Sequence, residues 1–472
     1  MLNSLKIRNF RSIRNAEVRL APTGLTVVVG ANGAGKSNFV RALEFIANLH
    51  VDGLQAAIGR EGGLFSILPK VIPVAQLYRQ TTVLGYEITL PRPDRYPEAT
   101  PPPRATHHLA IQWGQRRSHR VVEELIEYSE PIAVAAALKT SRQTPTEGTT
   151  SVDRQMESPP HSVIRFVRDA NAFSIDADPA LESGHVEDYF EWLGFTAFEG
   201  LGVRVQSAEA LRQLLAALAS QRATGGVQLD SGMSMLDLGR RAAFALAPQH
   251  SVFRESASNI RRFDLQLSEL RREQDVVRSH ELAPHGSHLP AVLQWVKRDE
   301  EQRKSWNRIR DTLADIAPNV IDVKVNTLKT GREYVEFLES RSGRNVESWE
   351  SSDGTLRALA MLLAIETHAS HGTVIIEEPE HSLHPWGVRS LISHIRQAIT
   401  DRHIQVVLTT HSQQVLEEAT PDEVLVVTRS AETGTVIRSV PEIIPHGSPS
   451  PGDLGRMWVK GLLGGIPEPN RA

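Results

Sequence analysis

The residues best suited to chemistry lie in a glycine-rich stretch at positions 27–40, VVVGANGAGKSNFV. A β-branched apolar run ends at the first glycine, and helical spacing of apolar residues begins at the lysine. The residues between fit the phosphate-loop pattern G-x-x-x-x-G-K-[ST]: Gly30, Ala31, Asn32, Gly33, Ala34, Gly35, Lys36 and Ser37, with Asn38 following. Backbone N–H groups of such a loop face phosphate oxygens, Lys36 reaches the outer phosphates, and the Ser37 hydroxyl ligates Mg²⁺. The alternative is a chance match in a glycine-containing turn.

A second candidate group is a set of acids at the end of an apolar run. Residues 373–376 read as a buried strand, and Glu377, Glu378, Pro379 and Glu380 follow. With a phosphate loop in the same chain, Glu377 would hold the magnesium shell, and Glu378 would orient and deprotonate the water that attacks the terminal phosphate. Adjacent strand residues face opposite sides, but a chain that is turning at a strand end lets both reach one site. The alternative is a pair of solvated acids at the start of a loop.

Two shorter motifs flank these acids. Ser352, Asp353 and Gly354 precede a helical pattern, and alone they indicate an N-cap. Downstream, residues 404–410 read as a strand that ends at His411, where a histidine can sense the terminal phosphate. A lone histidine at a loop start is more often incidental.

Composition limits the class of protein. The 472 residues are 40% apolar and 23% charged, values typical of globular chains, and the length predicts two or three lobes. Cysteine is absent, which excludes disulfides, cysteine-ligated metals and a thiol nucleophile. No apolar run approaches the ~20 residues of a membrane span, and no signal-peptide core is present, so we expect a cytoplasmic protein with no membrane partner.

The net charge of −4 gives no global field that attracts nucleic acid. Nucleic acid stays a candidate partner through local arginine doublets, which could equally be solvated helix faces. The doublets are Arg116-Arg117, Arg240-Arg241, Arg261-Arg262 and Arg271-Arg272.

The elements that would position these motifs follow from hydrophobic periodicity. Short strands are predicted at residues 2–7 and 16–20, ahead of the phosphate loop. An antiparallel sheet is predicted from the runs 83–90, 108–113, 121–128 and 163–166. Residues 91–106 and 139–161 are rich in Pro, Ser and Thr and read as mobile loops.

The pattern turns helical from about residue 186. Apolar residues at three- and four-residue spacing predict helices at 208–221, 233–246, 289–296 and 306–316. Residues 259–278 are charged and read as a short hairpin arm. The runs 320–325 and 334–338 then predict a β-hairpin that leads back toward the core.

Four motifs in order, GANGAGKS, SSDGT, IIEEPEHSLHP and TTHS, resemble the ABC-type ATPase heads of the RecF, SMC and OLD proteins. They are more similar still to standalone bacterial ATPases labelled AAA-21 or OLD-like, as are NFRSI and LGRMWVKGLLGG near the termini. The resemblance implies an α/β fold, an ABC-type P-loop head with a mixed sheet, flanking helices, an antiparallel β subdomain and an inserted α-rich lobe. The implied domains are 1–90 with Walker A, 91–180 as the β subdomain, 181–318 as the α-rich lobe, and 319–472 as the second half of the head.

The resemblance also implies residue roles, with ATP and Mg²⁺ as cofactors. Lys36 and Ser37 would belong to Walker A, Glu377 would be the Walker B acid, Glu378 the catalytic base and His411 the switch histidine. The set is completed by the D-loop residues Ser382, Leu383 and His384, by Arg11 near the nucleotide, and by Gln76 or Gln80 as glutamine-loop candidates.

The signature residues Ser352 and Gly354 would act on the nucleotide of a second protomer, so ATP would hold a head-to-head dimer or a higher homo-oligomer together. This chain departs from the family pattern at three positions: Glu377 replaces the usual Asp, Ser351 a common Leu, and Asp353 a common Gly. The two departures in the signature allow weak or conditional hydrolysis, and the longer side chain of Glu377 allows either a direct or a water-mediated contact with the metal.

Three functions fit this pattern. The first is the ATPase of an anti-phage system of the Septu or PARIS type, which works with a separate effector such as a nuclease or toxin. The 61 residues after His411 are too few for the Toprim domain of OLD nucleases, so we expect nuclease activity in a partner chain. The second is a RecF-like DNA-repair clamp, and the third is a scaffold that binds ATP with little turnover.

Overall fold

The fold is taken from a computed structural model of the chain. It describes residues 1–70, 80–91, 102–113, 119–131, 161–169, 172–177, 248–340, 343, 345–430, 432–445, 449–450 and 452–464. The chain divides into two compact units. Unit 1 comprises residues 1, 12–47 and 259–472, and unit 2 comprises residues 2–11 and 48–258.

The strands, in chain order, are β1 (Leu2–Phe10), β2 (Ile13–Arg19), β3 (Leu25–Val29), β4 (Thr81–Thr89), β5 (Arg104–Trp113), β6 (His119–Pro131), β7 (His161–Asp169), β8 (Ala172–Ala177), β9 (Ile260–Phe263), β10 (Val320–Thr327), β11 (Glu333–Glu339), β12 (Asn345–Glu347), β13 (Thr373–Glu377), β14 (Gln405–Thr410), β15 (Val424–Ser430) and β16 (Gly434–Ser439). The helices are α1 (Lys36–Asp52), α2 (Leu54–Arg60), α3 (Leu64–Ile67), α4 (Pro248–Ser258), α5 (Leu267–Arg271), α6 (Leu289–Arg298), α7 (Arg303–Ile316), α8 (Asp353–Thr367), α9 (Pro385–Arg402), α10 (Gln413–Glu417), α11 (Val440–Ile443) and α12 (Asp453–Val459), with a 3₁₀ turn at Pro421–Glu423.

Unit 1 is built on a mixed sheet with the strand order β2-β16-β15-β3-β14-β13-β9. β3, β14, β13 and β9 run parallel to their neighbours, and β15 is parallel to β3 but antiparallel to β16. Every residue of β3 and β14 is buried, as expected for parallel strands covered on both faces. Val29 pairs with Thr410, and Thr409 pairs with Glu377, so the carboxyl ends of three strands meet at one edge. Ligands of open α/β sheets bind outside such an edge.

Helices α8 and α9 pack against this sheet in unit 1, and α6 and α7 pack against α8 and the separate strands β10 and β11. α8 is buried from Ala358 to Thr367, because its sequence is apolar on nearly every face and the neighbouring helices surround it. β10, β11 and β12 form a separate antiparallel sheet whose Val323 and Phe337 join the same hydrophobic core. The predicted helices at 289–296 and 306–316 and the predicted hairpin at 320–338 are therefore confirmed.

Residues 259–278 do not form the hairpin arm that their charge pattern predicted. β9 lies at the edge of the sheet, parallel to β13, and α5 follows it. Ile260 and Phe263 are both 3% exposed, so the strand is fixed by two buried side chains that flank a polar pair. Residues 259–318, which the sequence pattern assigned to an inserted lobe, lie in unit 1.

Unit 2 contains an antiparallel sheet with the order β8-β7-β6-β5-β4-β1. The four strands predicted between residues 83 and 166 are confirmed as β4 to β7, and β5 begins inside the predicted loop 91–106. The mixed α/β head with an antiparallel β subdomain is thus the observed fold class. Predictions that lie outside the described residues are the helices at 208–221 and 233–246, most of the two mobile loops, Gln76, and the doublets Arg116-Arg117 and Arg240-Arg241.

Across the described part of the chain, no helix combines the length and the apolar character that crossing a membrane requires.

Candidate nucleotide-binding and catalytic site

The phosphate loop joins the end of β3 to the start of α1, as its sequence predicts. Gly35 has a φ of +116°, which L side chains rarely adopt, and a Cβ there would collide with the side chain of Thr435. At Gly30, a Cβ would lie 2.5 Å from the carbonyl oxygen of Val427. The loop therefore depends on glycine at both positions, once for conformation and once for space.

A chain of side-chain hydrogen bonds holds the phosphate loop in place. Asn38 Nδ2 donates to Ser12 Oγ at 2.6 Å, and Ser12 Oγ lies 2.7 Å from Thr435 Oγ1. Thr435 Oγ1 in turn donates to the carbonyl oxygen of Ala34 at 2.8 Å. Sequence reasoning missed Ser12 and Thr435, although Ser12 belongs to the NFRSI motif. The Asn38 side chain thus supports the loop from within the protein.

We expect Thr435→Val to destabilise unit 1 by about 1–3 kcal/mol, because it keeps the side-chain shape but leaves the buried Ala34 carbonyl without its donor. Thr409→Val is the matched control, since Thr409 Oγ1 is buried and has no hydrogen-bond partner among the described residues. Thermal unfolding of the two variants measures the difference. Equal melting temperatures would show that the Ala34 bond contributes nothing.

Lys36 is the first residue of α1, directly after the glycine-rich turn, and is only 7% exposed. Its Nζ donates to the carbonyl oxygen of Gly30 at 2.6 Å. Burial lowers the pKa of Lys36, while the charges of Glu378, Glu380 and Glu377 act in the opposite direction. The charges of the three acids at the end of β13 therefore favour the charged form of the ammonium group.

Ser37 and Glu377 are brought together across 340 positions of sequence. Ser37 Oγ donates to Glu377 Oε2 at 3.0 Å. Mg²⁺ prefers hard oxygen ligands in an octahedron with bonds of about 2.0–2.1 Å, in which neighbouring ligands lie ~3 Å apart. A hydroxyl and a carboxylate at this separation fit a magnesium ion.

Glu377 and Glu378 are neighbours in the sequence, yet both lie at the same edge of the sheet. Glu377 ends β13, whereas Glu378 has a φ of +50°, which breaks the alternation of the strand. The N–H of Glu378 donates to the carbonyl oxygen of Thr409 at 2.8 Å, so the turn is held by β14.

Two histidines flank the Glu378 carboxylate. His381 Nε2 lies 2.9 Å from Glu378 Oε2, and His411 Nδ1 lies 3.4 Å from Glu378 Oε1. Sequence reasoning named His411 but missed His381, which follows Glu378 by three residues in the same turn. Glu380 Oε1 accepts from Thr410 Oγ1 at 2.6 Å, which ties the acidic turn to the residue before His411.

The signature segment begins α8 as predicted for an N-cap. Ser352 Oγ accepts from the N–H of Thr355 at 3.1 Å, and a Cβ on Gly354 would collide with the carbonyl oxygen of Ser382 in the D-loop turn. Arg271, which sequence reasoning assigned to a doublet, holds this segment: it pairs with Asp353 and donates to the Ser351 carbonyl oxygen at 2.9 Å. No hydrogen bond joins Ser352 or Gly354 to the phosphate loop within the described residues.

Arg11 and Gln80 make their contacts within unit 2. Arg11 pairs with Glu61, and its Nε lies 3.1 Å from Glu61 Oε2. Gln80 Oε1 accepts from Asn9 Nδ2 at 3.4 Å. Their proposed roles near the nucleotide stay predictions.

The two described arginine doublets are neutralised by acids. Arg261 pairs with Glu281 at 2.5 Å, and Arg272 pairs with Glu269 at 2.6 Å. Arg262 donates from Nε to Glu377 Oε1 at 2.5 Å, which sequence reasoning did not predict. Neither doublet forms a free basic patch.

Two family models match the chain. The one described as "AAA domain, putative AbiEii toxin, Type IV TA system" matches residues 229–417, and the one described as "AAA ATPase domain" matches residues 1–65. The first range holds Ser352, Glu377, Glu378 and His411, and the second holds the phosphate loop.

Curated relatives match over short stretches. The DNA repair protein RecN of Xylella fastidiosa is 43% identical over 61 residues, which are 13% of this chain and 11% of RecN. The DNA replication and repair protein RecF of Paenarthrobacter aurescens is 35% identical over 98 residues, which are 20% of this chain and 23% of RecF. The chain therefore spans less than a quarter of the length of either relative.

Matches among solved structures include an Smc head bound to the C-winged helix domain of ScpA, with 13% identity and a TM-score of 0.41, covering 94% of this chain and 99% of that one. The SMC head domain from Thermotoga maritima has 12% identity and a TM-score of 0.34, covering 93% and 98%. The two family matches between them contain the phosphate loop, Glu377 and Glu378, so both parts of the candidate site lie in stretches that are similar to AAA-type domains.

Proposed function

We propose that this protein binds ATP with Mg²⁺ and hydrolyses it to ADP and phosphate. The observation that carries the proposal is the 3.0 Å contact of Ser37 with Glu377, with Lys36 beside them. A bound Mg²⁺ would neutralise charge on the phosphates. The loop N–H groups and Lys36 would hold the phosphates in place, and Ser37 and Glu377 would hold the cation.

Glu378 is the proposed general base. Its carboxylate sits where the chain leaves β13, and the Thr409 carbonyl fixes its backbone. A carboxylate can orient a water and take its proton as the terminal phosphate is attacked. His411 and His381 contact the same carboxylate and would orient it or sense the phosphate.

We further propose that two copies complete each site. The N-terminus of α8, capped by Ser352, offers N–H groups and a partial positive charge that suit the terminal phosphate of a second protomer. Packing of Gly354 against the Ser382 carbonyl supports this idea, because it couples the signature to the turn that carries Glu378. ATP would then join the heads, and hydrolysis would release them.

The output we propose is the gating of a separate effector, a nuclease or toxin, in anti-phage defence. Its support is the description of the matched family, which names a toxin of a toxin–antitoxin system. A RecF-like role on DNA is the second candidate, favoured by the RecF and RecN matches. The acid-paired doublets at 261–262 and 271–272 weigh against it, because a phosphate-binding surface needs free cations. An ATP-bound scaffold is the third, since the signature departs from the family pattern at Ser351 and Asp353.

We expect Lys36→Ala to weaken binding of a fluorescent ATP analogue by about tenfold or more, because the site loses the buried ammonium group that would contact the phosphates. Titration of the full chain in the presence of Mg²⁺ measures the change. Lys460→Ala, at an exposed position, is the control. Unchanged affinity in Lys36→Ala would contradict the proposed phosphate site.

The output is tested separately from the ATPase. Co-purification with the product of a neighbouring gene, dependent on ATP, would support effector gating. ATP-dependent DNA binding that weakens with salt would instead support the RecF-like role.

A further inference from the structure

Arg262 belongs to a contact chain of four polar side chains beside the proposed magnesium site: Ser37, Glu377, Arg262 and Glu44. Its Nε donates to Glu377 Oε1, while Glu377 Oε2 accepts from Ser37. On the other side, Arg262 Nη1 lies 3.4 Å from Glu44 Oε2. Both oxygens of the strand-end acid are thus held, one by the phosphate-loop helix and one by the edge strand.

The backbone explains why this arginine reaches the site. Arg262 is in register with Ile375 across the parallel pair β9 and β13, so its side chain lies on the same face as Ile375 and Glu377. On α1, Ser37 and Glu44 are seven residues apart and therefore share one face. The contact chain is therefore built from side chains of β9, β13 and α1.

The contact chain also contains more negative than positive charge. Three carboxylates lie within 3.7 Å of the Arg262 guanidinium: Glu44, Asp264 and Glu377. Burial lowers the pKa of Arg262, but Glu377, Glu44 and Asp264 outweigh it and raise the pKa, so the guanidinium stays charged. Loss of Arg262 would add one uncompensated negative charge beside the cation site.

We propose that Arg262 is a positioning residue that holds Glu377 and limits the negative charge of the site, so that the divalent cation enters together with the nucleotide and not before it. This inference rests on the proposed ATP site. One oxygen of Glu377 is fixed by Arg262, which leaves the other directed at Ser37. The positive charge of Arg262 weakens binding of a free cation and favours entry of the anionic phosphates.

Two binding measurements on the full chain test the proposal, neither of which requires turnover. Free Mn²⁺ is titrated without nucleotide and followed by electron paramagnetic resonance, and a fluorescent non-hydrolysable ATP analogue is titrated in EDTA. For Arg262→Gln we expect Mn²⁺ to bind about tenfold tighter and the metal-free nucleotide about tenfold weaker, since the added charge acts with opposite sign on the two ligands.

Arg261→Gln is the matched control, because it removes an arginine from the same strand whose partner is Glu281 and not the site. Both of its affinities should equal those of the unchanged protein. Arg262→Lys keeps the charge but loses the Nε–H that donates to Glu377, so both affinities should stay within about twofold while hydrolysis falls.

A loss of both affinities in Arg262→Gln would mean a purely structural role and would overturn the proposal, as would affinities equal to those of Arg261→Gln. If Arg262→Gln does not fold, the same two titrations are made on Arg262→Lys. A shift of its Mn²⁺ and nucleotide affinities in the same direction overturns the proposal. Absence of nucleotide binding in the unchanged protein is a different outcome, because it contradicts the proposed function itself.

Discussion

Glu378→Gln should lower the rate of ATP hydrolysis by at least about a hundredfold while nucleotide binding persists. A positioned general base contributes about 10²–10⁴-fold, and glutamine keeps the size of the side chain but cannot accept the proton from water. Lys36, Ser37 and Glu377 are untouched, so ATP and Mg²⁺ should still bind. Phosphate release from the purified chain measures the rate.

The same variant tests dimerisation. With ATP and Mg²⁺, Glu378→Gln should accumulate as a dimer in light scattering, because the step that separates the heads is blocked. Lys36→Ala is the counterpart and should stay in its ATP-free oligomeric state. Undiminished turnover in Glu378→Gln would place the base elsewhere, and a slow variant that stays monomeric would contradict the composite site but leave the base assigned.

Glu366→Gln should destabilise unit 1 by about 3–5 kcal/mol, the typical cost of breaking a buried ion pair from one side. Glu366 is fully buried in α8, and Arg308 of α7 donates to its two oxygens at 2.8 and 2.6 Å. His394 of α9 lies 3.1 Å from the same carboxylate. Glu366 therefore joins α8, which begins at the signature, to α7 through Arg308 and to α9 through His394, and its loss should lower the melting temperature of unit 1.

Asp401→Ala is the matched control, since Asp401 contacts the same arginine at 3.0 Å from an exposed position. An exposed ion pair contributes about 0–1 kcal/mol, so this variant should unfold close to the unchanged protein. Similar decreases in the free energy of unfolding of the two variants would show that the buried carboxylate contributes no more to stability than the exposed one.

The Glu366 pair also predicts a dependence on pH. Burial alone would raise the pKa of Glu366, but the hydrogen bonds from Arg308, with His394 nearby, outweigh it and lower the pKa from 4.5 to about 2. A carboxyl with a depressed folded-state pKa stabilises the fold above its unfolded pKa, and the contribution, about 3 kcal/mol, is lost as pH falls toward 2. The stability difference between the unchanged protein and Glu366→Gln should therefore be full at pH 7 and shrink below about pH 4.5. A difference that stays constant down to pH 3 would contradict this.

Local patterns predicted much of this protein. The phosphate loop, the N-cap at Ser352 and the strand that ends at Glu377 each follow from neighbouring residues, because turn chemistry, capping and strand burial act over a few positions. The antiparallel strands of unit 2 and the helices α6 and α7 were predicted for the same reason. The charged residues at 259–278 predicted an exposed hairpin arm, and this prediction was wrong. β9 lies in the sheet because the side chains of Ile260 and Phe263 are buried, although the two residues between them are arginines.

The sequence by itself thus predicted the kind of chemistry: a loop that would hold phosphates, an acid for Mg²⁺ and an acid for water. Tertiary structure alone decided which side chains accompany them, because Arg262, His381 and Thr435 reach the site only through strand register, an unusual backbone turn and the pairing of distant strands. These contacts join positions up to 423 residues apart, as Ser12 and Thr435 are. No local pattern encodes such separations, since they arise from how the buried strands of unit 1 align.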